Sequence, residues 1–319
     1  MLAFALVLLS GELRLSPDSR AYLQAAADVS RAGGIPLYYS WWPPLMPLTL
    51  APFSDAYTAA QWLNAAYYAL STAITLYALK TRLYGAGIAI LGGVFLFSPA
   101  LYTVHRYVWS EPLFVALVAA WFALLLTNVT DRHRAILLAL VAALLGLQRY
   151  VGILFIPLGV LALALNRVHW KRIAAYVVIA GVPLGLWMLR NIGLGYPATG
   201  LDRGAAYLTF ANATESALRT FISWWFPVTL AFIVGVRYRV RLPSTFAVVC
   251  AYYVIGHTVF IIWSSSSTSM DAPDQRLLAP VFIPLAYCAL TLGGYLARRK
   301  SAIIGVVRES RVRIPPRNP

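Results

Sequence analysis

Residues 135–165 read AILLALVAALLGLQRYVGILFIPLGVLALAL, and Arg149 is the one charged residue among them. A helix that crosses a bilayer needs about 20 apolar residues, so the stretch is either one overlong crossing or two short helices joined near Arg149. A single crossing would leave the arginine in the middle of the membrane, where a charge is costly. The stretch therefore predicts two short membrane helices with a turn at Arg149.

The distribution of basic residues supports this interpretation. With a cytoplasmic N-terminus and ten crossings, 17 of the 26 Lys and Arg residues lie on the cytoplasmic side and nine lie outside, as the positive-inside rule requires. A single crossing at 135–165 would invert everything downstream and leave 8 inside and 17 outside. We therefore predict about ten transmembrane helices. The apolar segments are 1–10, 56–79, 84–104, 108–129, 135–147, 151–165, 173–189, 221–236, 246–263 and 277–297.

The overall composition agrees with a polytopic integral membrane protein. Of the 319 residues 60% are hydrophobic and 12% are charged, whereas soluble domains carry roughly 25% charged residues. The net charge of +15 comes from small clusters between apolar segments, not from a stripe that would bind nucleic acid. Cys250 and Cys288 lie in apolar segments, which favours small buried side chains over a disulfide or metal ligands.

The N-terminal run Met1 to Ser10 has no basic flank and no small-residue cleavage site. It favours a short or truncated first helix over a signal peptide. In the loop that follows, alanine and leucine recur at helical spacing from Ser19 to Arg31. This spacing predicts a juxtamembrane helix, with Ser16 or Asp18 as its N-cap.

The acidic residues were not used to assign the topology, yet nine of the 11 fall on the outer side. Acidic residues contribute little to membrane orientation, so this enrichment indicates a polar site on the outer face. Asp131 and Glu309 fall inside. The outer residues are Glu12, Asp18, Asp28, Asp55, Glu111, Asp202, Glu215, Asp271 and Asp274.

Two of these carboxylates are candidates for chemistry. Asp18 follows the first crossing directly and could act as a general base toward an acceptor hydroxyl, although it could equally cap the helix. Glu111 opens an otherwise apolar helix, where an ionisable residue is expected to be functional and to have a partner. Arg106 and Arg149 are the candidate partners.

Four arginines stand where helices enter the outer leaflet: Arg106, Arg149, Arg190 and Arg276. A guanidinium binds phosphate well, but an arginine at this depth can also extend to the interface for purely structural reasons. The four histidines share no ligand spacing, which argues against a zinc site. A divalent metal remains possible, because the outer carboxylates could bind one instead of pairing with arginines.

Several short motifs in this order resemble the GT-C superfamily of membrane glycosyltransferases. The chain is most similar to the branch of protein O-mannosyltransferases and the lipid A aminoarabinose transferase. The motifs are Pro17-Asp18-Ser19 with Tyr22, Trp42-Pro43-Pro44-Leu45-Met46-Pro47, Trp109-Ser110-Glu111-Pro112-Leu113, Arg149-Tyr150-Val151-Gly152, Trp187 with Arg190-Asn191, and Arg276 with Pro280.

The resemblance implies an all-α GT-C-like enzyme that moves a sugar, with inversion, from a polyprenyl-phosphate donor to a lipid, glycan or protein acceptor. Asp18 would activate the acceptor, while Arg106, Glu111, Arg149, Arg190 and Arg276 would contribute to substrate and phosphate binding. The O-mannosyltransferases carry an acidic pair in the first loop, and here Ser19 follows Asp18.

This interpretation predicts one transmembrane domain, residues 1–300, and a basic cytoplasmic tail, residues 301–319. We expect it in a prokaryotic plasma membrane, among membrane lipids, with an extracytoplasmic active site and no nucleic-acid partner. Two alternatives stay open. A transporter or flippase would use the outer charges as a substrate path, although such proteins usually place them near the midplane. A non-catalytic membrane subunit is the other alternative.

Overall fold

A computed structural model describes residues 13–37, 39–40, 42–83, 85–127, 129–200 and 204–312, with side chains as far as Lys300. The predicted first helix, 1–10, and the side chains of the predicted tail, 301–319, lie outside the described residues. The described part of the chain is all-α. Its only extended pairing is an isolated bridge between Arg14 and Tyr107.

Thirteen α-helices occur in the described residues, and a 3-10 turn at Tyr150–Leu154 precedes the eighth. They are α1 Pro17–Ala32, α2 Leu45–Leu50, α3 Ala56–Leu79, α4 Ala86–Leu96, α5 Pro99–His105, α6 Glu111–Leu125, α7 Arg132–Gln148, α8 Phe155–Leu165, α9 Trp170–Gly193, α10 Phe210–Ser223, α11 Trp225–Tyr238, α12 Ser244–Ser267 and α13 Gln275–Val312.

Several of these helices can cross a membrane. In the described residues α9, α12 and the Gln275–Lys300 part of α13 are long and apolar enough on their own. The bent pairs α4 with α5 (50°) and α10 with α11 (55°) raise the number to five if each pair is one crossing. Two further apolar helices in the described residues are shorter, Glu111–Leu125 and Tyr150–Leu165. The predicted ten crossings are consistent with these lengths but are not fixed by them.

The predicted turn at Arg149 is present. Arg149 is extended, with φ −152° and ψ 142°, and ends α7. The chain then folds back so tightly that a Cβ on Gly152 would lie 2.1 Å from the carbonyl oxygen of Leu145. At the other end of these helices Arg172 donates to the carbonyl of Thr130 at 2.7 Å. Residues 135–165 therefore form two short helices that pass between the same two ends of the bundle.

We name the two ends of the bundle after residues that mark them. At the Arg298 end, the Arg298 guanidinium donates to the carbonyls of Arg239 and Val240 at 3.1 and 2.7 Å. Close packing joins α11 to α13, since a Cβ on Gly235 would lie 2.3 Å from the Leu290 carbonyl oxygen. Small residues allow such helix contacts in membranes. The opposite end is the Arg149 end.

Two segments differ from the sequence-based prediction. The apolar segment 84–104 is divided at Ser98, where Pro99 begins a new helix at an angle of 50° to the first. The loop predicted at 191–220 contains most of α10. That helix is amphipathic: Ala213 and Ala217 are buried, while Glu215 and Arg219 are exposed. This pattern fits a helix lying along the bundle surface.

Candidate active site

The first helix begins with a capping box that leaves Asp18 available. The Ser19 amide donates to the Ser16 hydroxyl at 3.2 Å, and the Ser16 amide donates to the Ser19 hydroxyl at 3.0 Å. This reciprocal pair satisfies amide groups at the helix start. Ser16, not Asp18, is therefore the N-cap, and Ser19 takes part in the cap.

Arg276, in the first turn of α13, lies among three carboxylates. Its Nη2 contacts Asp18, its Nε donates to Glu111 at 2.9 Å, and its Nη1 lies 3.7 Å from Asp271. Arg149 contacts the same Oε1 atom of Glu111. The sequence-predicted residues Asp18, Glu111, Arg149 and Arg276 thus form one connected group, which we call the ion-pair network.

The members of the network differ in exposure. The side chain of Glu111 is 0% exposed, while those of Arg276 and Arg149 are 14% and 18% exposed. The Asp18 side chain is 34% exposed. A buried carboxylate needs well-placed partners to stay charged, and Glu111 has two guanidiniums. Glu111 therefore anchors the network, and Asp18 is its more exposed carboxylate.

Trp109 supports both sides of the Asp18–Arg276 pair. Its indole N–H donates to the Ser16 hydroxyl at 2.8 Å, at the start of α1. The Arg276 guanidinium carbon lies 4.3 Å from the indole ring, a cation–π contact. The Tyr107 ring stacks on the Trp109 ring itself, with centroids 3.9 Å apart. Trp109, which the sequence analysis quoted only as part of the motif around Glu111, therefore belongs to the site.

Ser110 and Gln148 join the two segments that carry Glu111 and Arg149. Arg149 donates to the Ser110 hydroxyl at 3.1 Å, and the Gln148 amide donates to the Ser110 carbonyl at 2.7 Å. Sequence analysis gave no role to these two residues. The available signal was Gln148 itself, a polar residue that ends an apolar helix directly before Arg149.

Tyr22 lies on α1 one turn after Asp18 and is 3% exposed. Burial, helped by the nearby Glu111 carboxylate, raises the pKa of Tyr22 to about 12. The phenol therefore stays protonated near neutral pH and can donate a hydrogen bond but cannot act as a base. Its ring packs against Trp42 with centroids 4.8 Å apart.

The two remaining predicted arginines contact other partners. Arg106 donates to the Tyr102 hydroxyl at 2.9 Å. Arg190 donates to the backbone carbonyls of Pro36 at 2.8 Å and Tyr39 at 2.9 Å. Of the four predicted arginines, Arg149 and Arg276 contact carboxylates of the ion-pair network. Within the described residues, Arg106 and Arg190 do not.

Three of the outer carboxylates pair with arginines in the structure. Asp18 and Glu111 belong to the ion-pair network, and Asp28 contacts Arg31 on its own helix. Among the described residues no group of three or more His, Cys, Asp or Glu side chains could hold a metal ion. The arrangement offers a reachable carboxylate beside two guanidiniums, which suits proton transfer next to a bound anion.

No protein-family model and no curated protein sequence matches the chain. Two solved structures of ArnT from Cupriavidus metallidurans match its fold. The structure bound to undecaprenyl phosphate has 16% sequence identity and a TM-score of 0.65, with 92% of this chain and 58% of that chain covered. The apo structure has 15% identity and a TM-score of 0.65, with 92% and 57% covered.

This chain therefore spans little more than half the length of those ArnT chains. At this identity the likeness establishes the fold alone. The all-α architecture and the apolar helices of this chain are consistent with that likeness. The chain has an all-α fold that is similar to the fold of ArnT from Cupriavidus metallidurans.

Proposed function

We propose that the chain is a membrane glycosyltransferase that moves a sugar, with inversion, from a polyprenyl-phosphate donor to an acceptor on the extracytoplasmic face. The ion-pair network carries this proposal, because it combines a reachable carboxylate, Asp18, with two guanidiniums at one end of a GT-C-like bundle. The ArnT structure that was solved with undecaprenyl phosphate supports a polyprenyl-phosphate lipid as the donor class.

In the proposed reaction Asp18 takes the proton of an acceptor hydroxyl while the acceptor oxygen attacks the anomeric carbon. The bond between that carbon and the phosphate oxygen breaks, and polyprenyl phosphate leaves with the electron pair. Attack opposite the phosphate inverts the anomeric centre. Arg276 and Arg149 would neutralise the leaving phosphate, since guanidiniums form strong charge-assisted hydrogen bonds to it.

Binding of the donor would have to change the network. Arg276 contacts both Asp18 and Glu111, so a phosphate competes with these carboxylates for its donors. Asp18 is the more exposed of the two and would be displaced first. Displacement releases the Asp18 carboxylate for the acceptor hydroxyl, while buried Glu111 keeps both guanidiniums in position. The two carboxylates would therefore have different roles.

We test the reaction with membranes from cells that overproduce the chain, because such membranes can supply the acceptor. They are incubated with a polyprenyl-phosphate sugar labelled in the sugar. We expect label to leave the donor lipid faster than in membranes without the chain, and to appear in an acceptor. Loss at the control rate would contradict the proposal. An intact donor lipid that changes leaflets would favour a flippase instead.

The extracytoplasmic position rests on the charge distribution along the sequence, and single cysteines can test it. The starting variant carries Cys250→Ala and Cys288→Ala. Asp271 at the Arg149 end is 72% exposed, so D271C should react with an impermeant thiol reagent added outside intact cells. R239C, at the Arg298 end, should react only after the cells are opened. The reverse labelling would contradict the proposed orientation.

A further inference from the structure

Arg190 lies near the end of α9 at the Arg149 end and binds the backbone of the segment that follows α1. From here on, the first loop means this segment, residues 33–44. Its Nη1 donates to the Tyr39 carbonyl at 2.9 Å, and its Nη2 donates to the carbonyls of Pro36 at 2.8 Å and Leu37 at 3.4 Å. The guanidinium carbon lies 4.7 Å from the Trp187 ring. Apart from a 3.4 Å hydrogen bond to the side-chain oxygen of the neighbouring Asn191, the donors of this arginine are thus directed at main-chain oxygens.

The loop that Arg190 holds is the direct continuation of the helix that carries Asp18. Gly33, with φ 64°, ends α1 in the left-handed conformation, which glycine adopts without strain. The chain then turns toward α9, where Tyr39 packs against Trp187 with ring centroids 6.1 Å apart. Trp109 and Arg276 hold the start of α1, so the helix is attached at both of its ends.

The same end of α9 also contacts the residue next to Arg149. The Trp187 indole N–H donates to the Tyr150 hydroxyl at 3.1 Å, and the Asn191 side-chain amide donates to it at 3.4 Å. Within one turn, α9 therefore contacts the first loop through Arg190 and the Arg149 segment through Tyr150. A rigid helix that binds both segments fixes their relative position.

We propose that Arg190 is a positioning residue that ties the first loop to α9 and thereby holds Asp18 in place beside the Arg149 segment. It acts through the backbone and makes no contact with the donor phosphate. Because the acceptors are main-chain carbonyls, they can leave Arg190 only if the loop itself moves. The inference of an effect on catalysis rests on the proposed transfer reaction, whereas the tie itself does not.

The test compares R190Q and R190K with R219Q, in the full chain in lipid nanodiscs. Arg219 is an exposed arginine that pairs with Glu215 on α10, so R219Q removes a similar charge without touching the loop. We expect amide hydrogen exchange in R190Q to accelerate in residues 33–44 and in the first turn of α1, and to stay unchanged in α12. R190K, which keeps a donor but loses the fork, should be intermediate.

In the transfer assay R190Q should lower kcat by roughly 10- to 100-fold, as expected for a displaced catalytic group, with the donor KM changed less than about threefold. R190K should recover part of kcat. Unchanged exchange in the loop and α1 would overturn the tie, and a raised donor KM at constant kcat would make Arg190 a donor ligand instead. If the wild type transfers no sugar, the proposed function fails, and the exchange data still decide whether the tie exists.

Discussion

Two arginines at the Arg149 end look alike and differ in their partners. Arg276 lies 4.3 Å from the Trp109 ring, and Arg190 lies 4.7 Å from the Trp187 ring. Arg276 contacts the side-chain carboxylates of Asp18 and Glu111, whereas Arg190 donates to main-chain carbonyls of the first loop. The residue type, the aromatic neighbour and the end of the bundle are shared, so the partner distinguishes them.

The kind of partner decides what each arginine can do. The partly exposed Asp18 carboxylate can rotate away, so an anionic ligand can replace it on Arg276 without moving the backbone. The carbonyls held by Arg190 can leave only if the loop moves. We therefore expect that an anionic ligand can replace a partner of Arg276, whereas the contacts of Arg190 stay fixed as long as the loop keeps its position. Variants on each side of this comparison should produce different kinds of effect.

The largest effect is expected from Asp18→Asn. The amide keeps the size of the side chain and can still contact Arg276, but it cannot take the acceptor proton. We expect kcat to fall by about 10²- to 10⁴-fold, the usual contribution of a general base. Donor binding should not weaken, because the uncharged amide competes less with the phosphate for Arg276 than the carboxylate does. Asp28→Asn on the same helix, where Asp28 pairs with Arg31, is the control. Transfer at the wild-type rate by D18N would remove Asp18 from the mechanism.

The second effect concerns stability, and it follows from the burial of Glu111. Glu111→Gln removes the negative charge between two mostly buried guanidiniums, and breaking a buried ion pair in this way costs about 3 kcal/mol or more. We expect a clearly lower unfolding temperature, measured by tryptophan fluorescence in nanodiscs. Asp271→Asn is the matched control, because that carboxylate is 72% exposed and lies 3.7 Å from Arg276. Equal stability of both variants would mean that Glu111 does not anchor the network.

The third effect concerns affinity. Arg276→Gln should weaken equilibrium binding of labelled polyprenyl phosphate by about 10- to 100-fold, because a hydrogen bond to a charged group contributes about 1.5–3 kcal/mol. R219Q should bind as the wild type does. The product lipid is used so that no turnover occurs during the measurement. If R276Q and R219Q bind equally well, the guanidinium of Arg276 is not a phosphate ligand.

Much of the fold follows from the sequence through the placement of charges. The turn at Arg149 was predictable because a single arginine in a long apolar stretch has to reach one end of the bundle, and the charges downstream supported the same turn. The bend at Ser98 and the helix in the loop 191–220 were not predicted. Apolar length reports how much chain can lie in a membrane, but it does not report the angle at which a segment runs.

The candidate site was predictable in depth and not in its position around the bundle. Sequence analysis placed Arg106 and Arg149 at the same end and offered both as partners of Glu111. Which of them contacts the carboxylate depends on how the helices pack laterally, and a single sequence does not contain that information. The structure joins Arg149 and Arg276 to Glu111, and it directs Arg106 toward Tyr102.

The smallest effect is therefore expected at Arg106. Its guanidinium donates to the Tyr102 hydroxyl and forms no ion pair with a carboxylate of the described residues. Arg106→Gln should change the free energy of unfolding by about 0.5 kcal/mol or less, as is usual for residues outside a buried network, and should leave polyprenyl-phosphate affinity within about twofold. A loss of affinity as large as that of R276Q would show that depth alone selects the phosphate ligands, because Arg106 and Arg276 share depth and not partners.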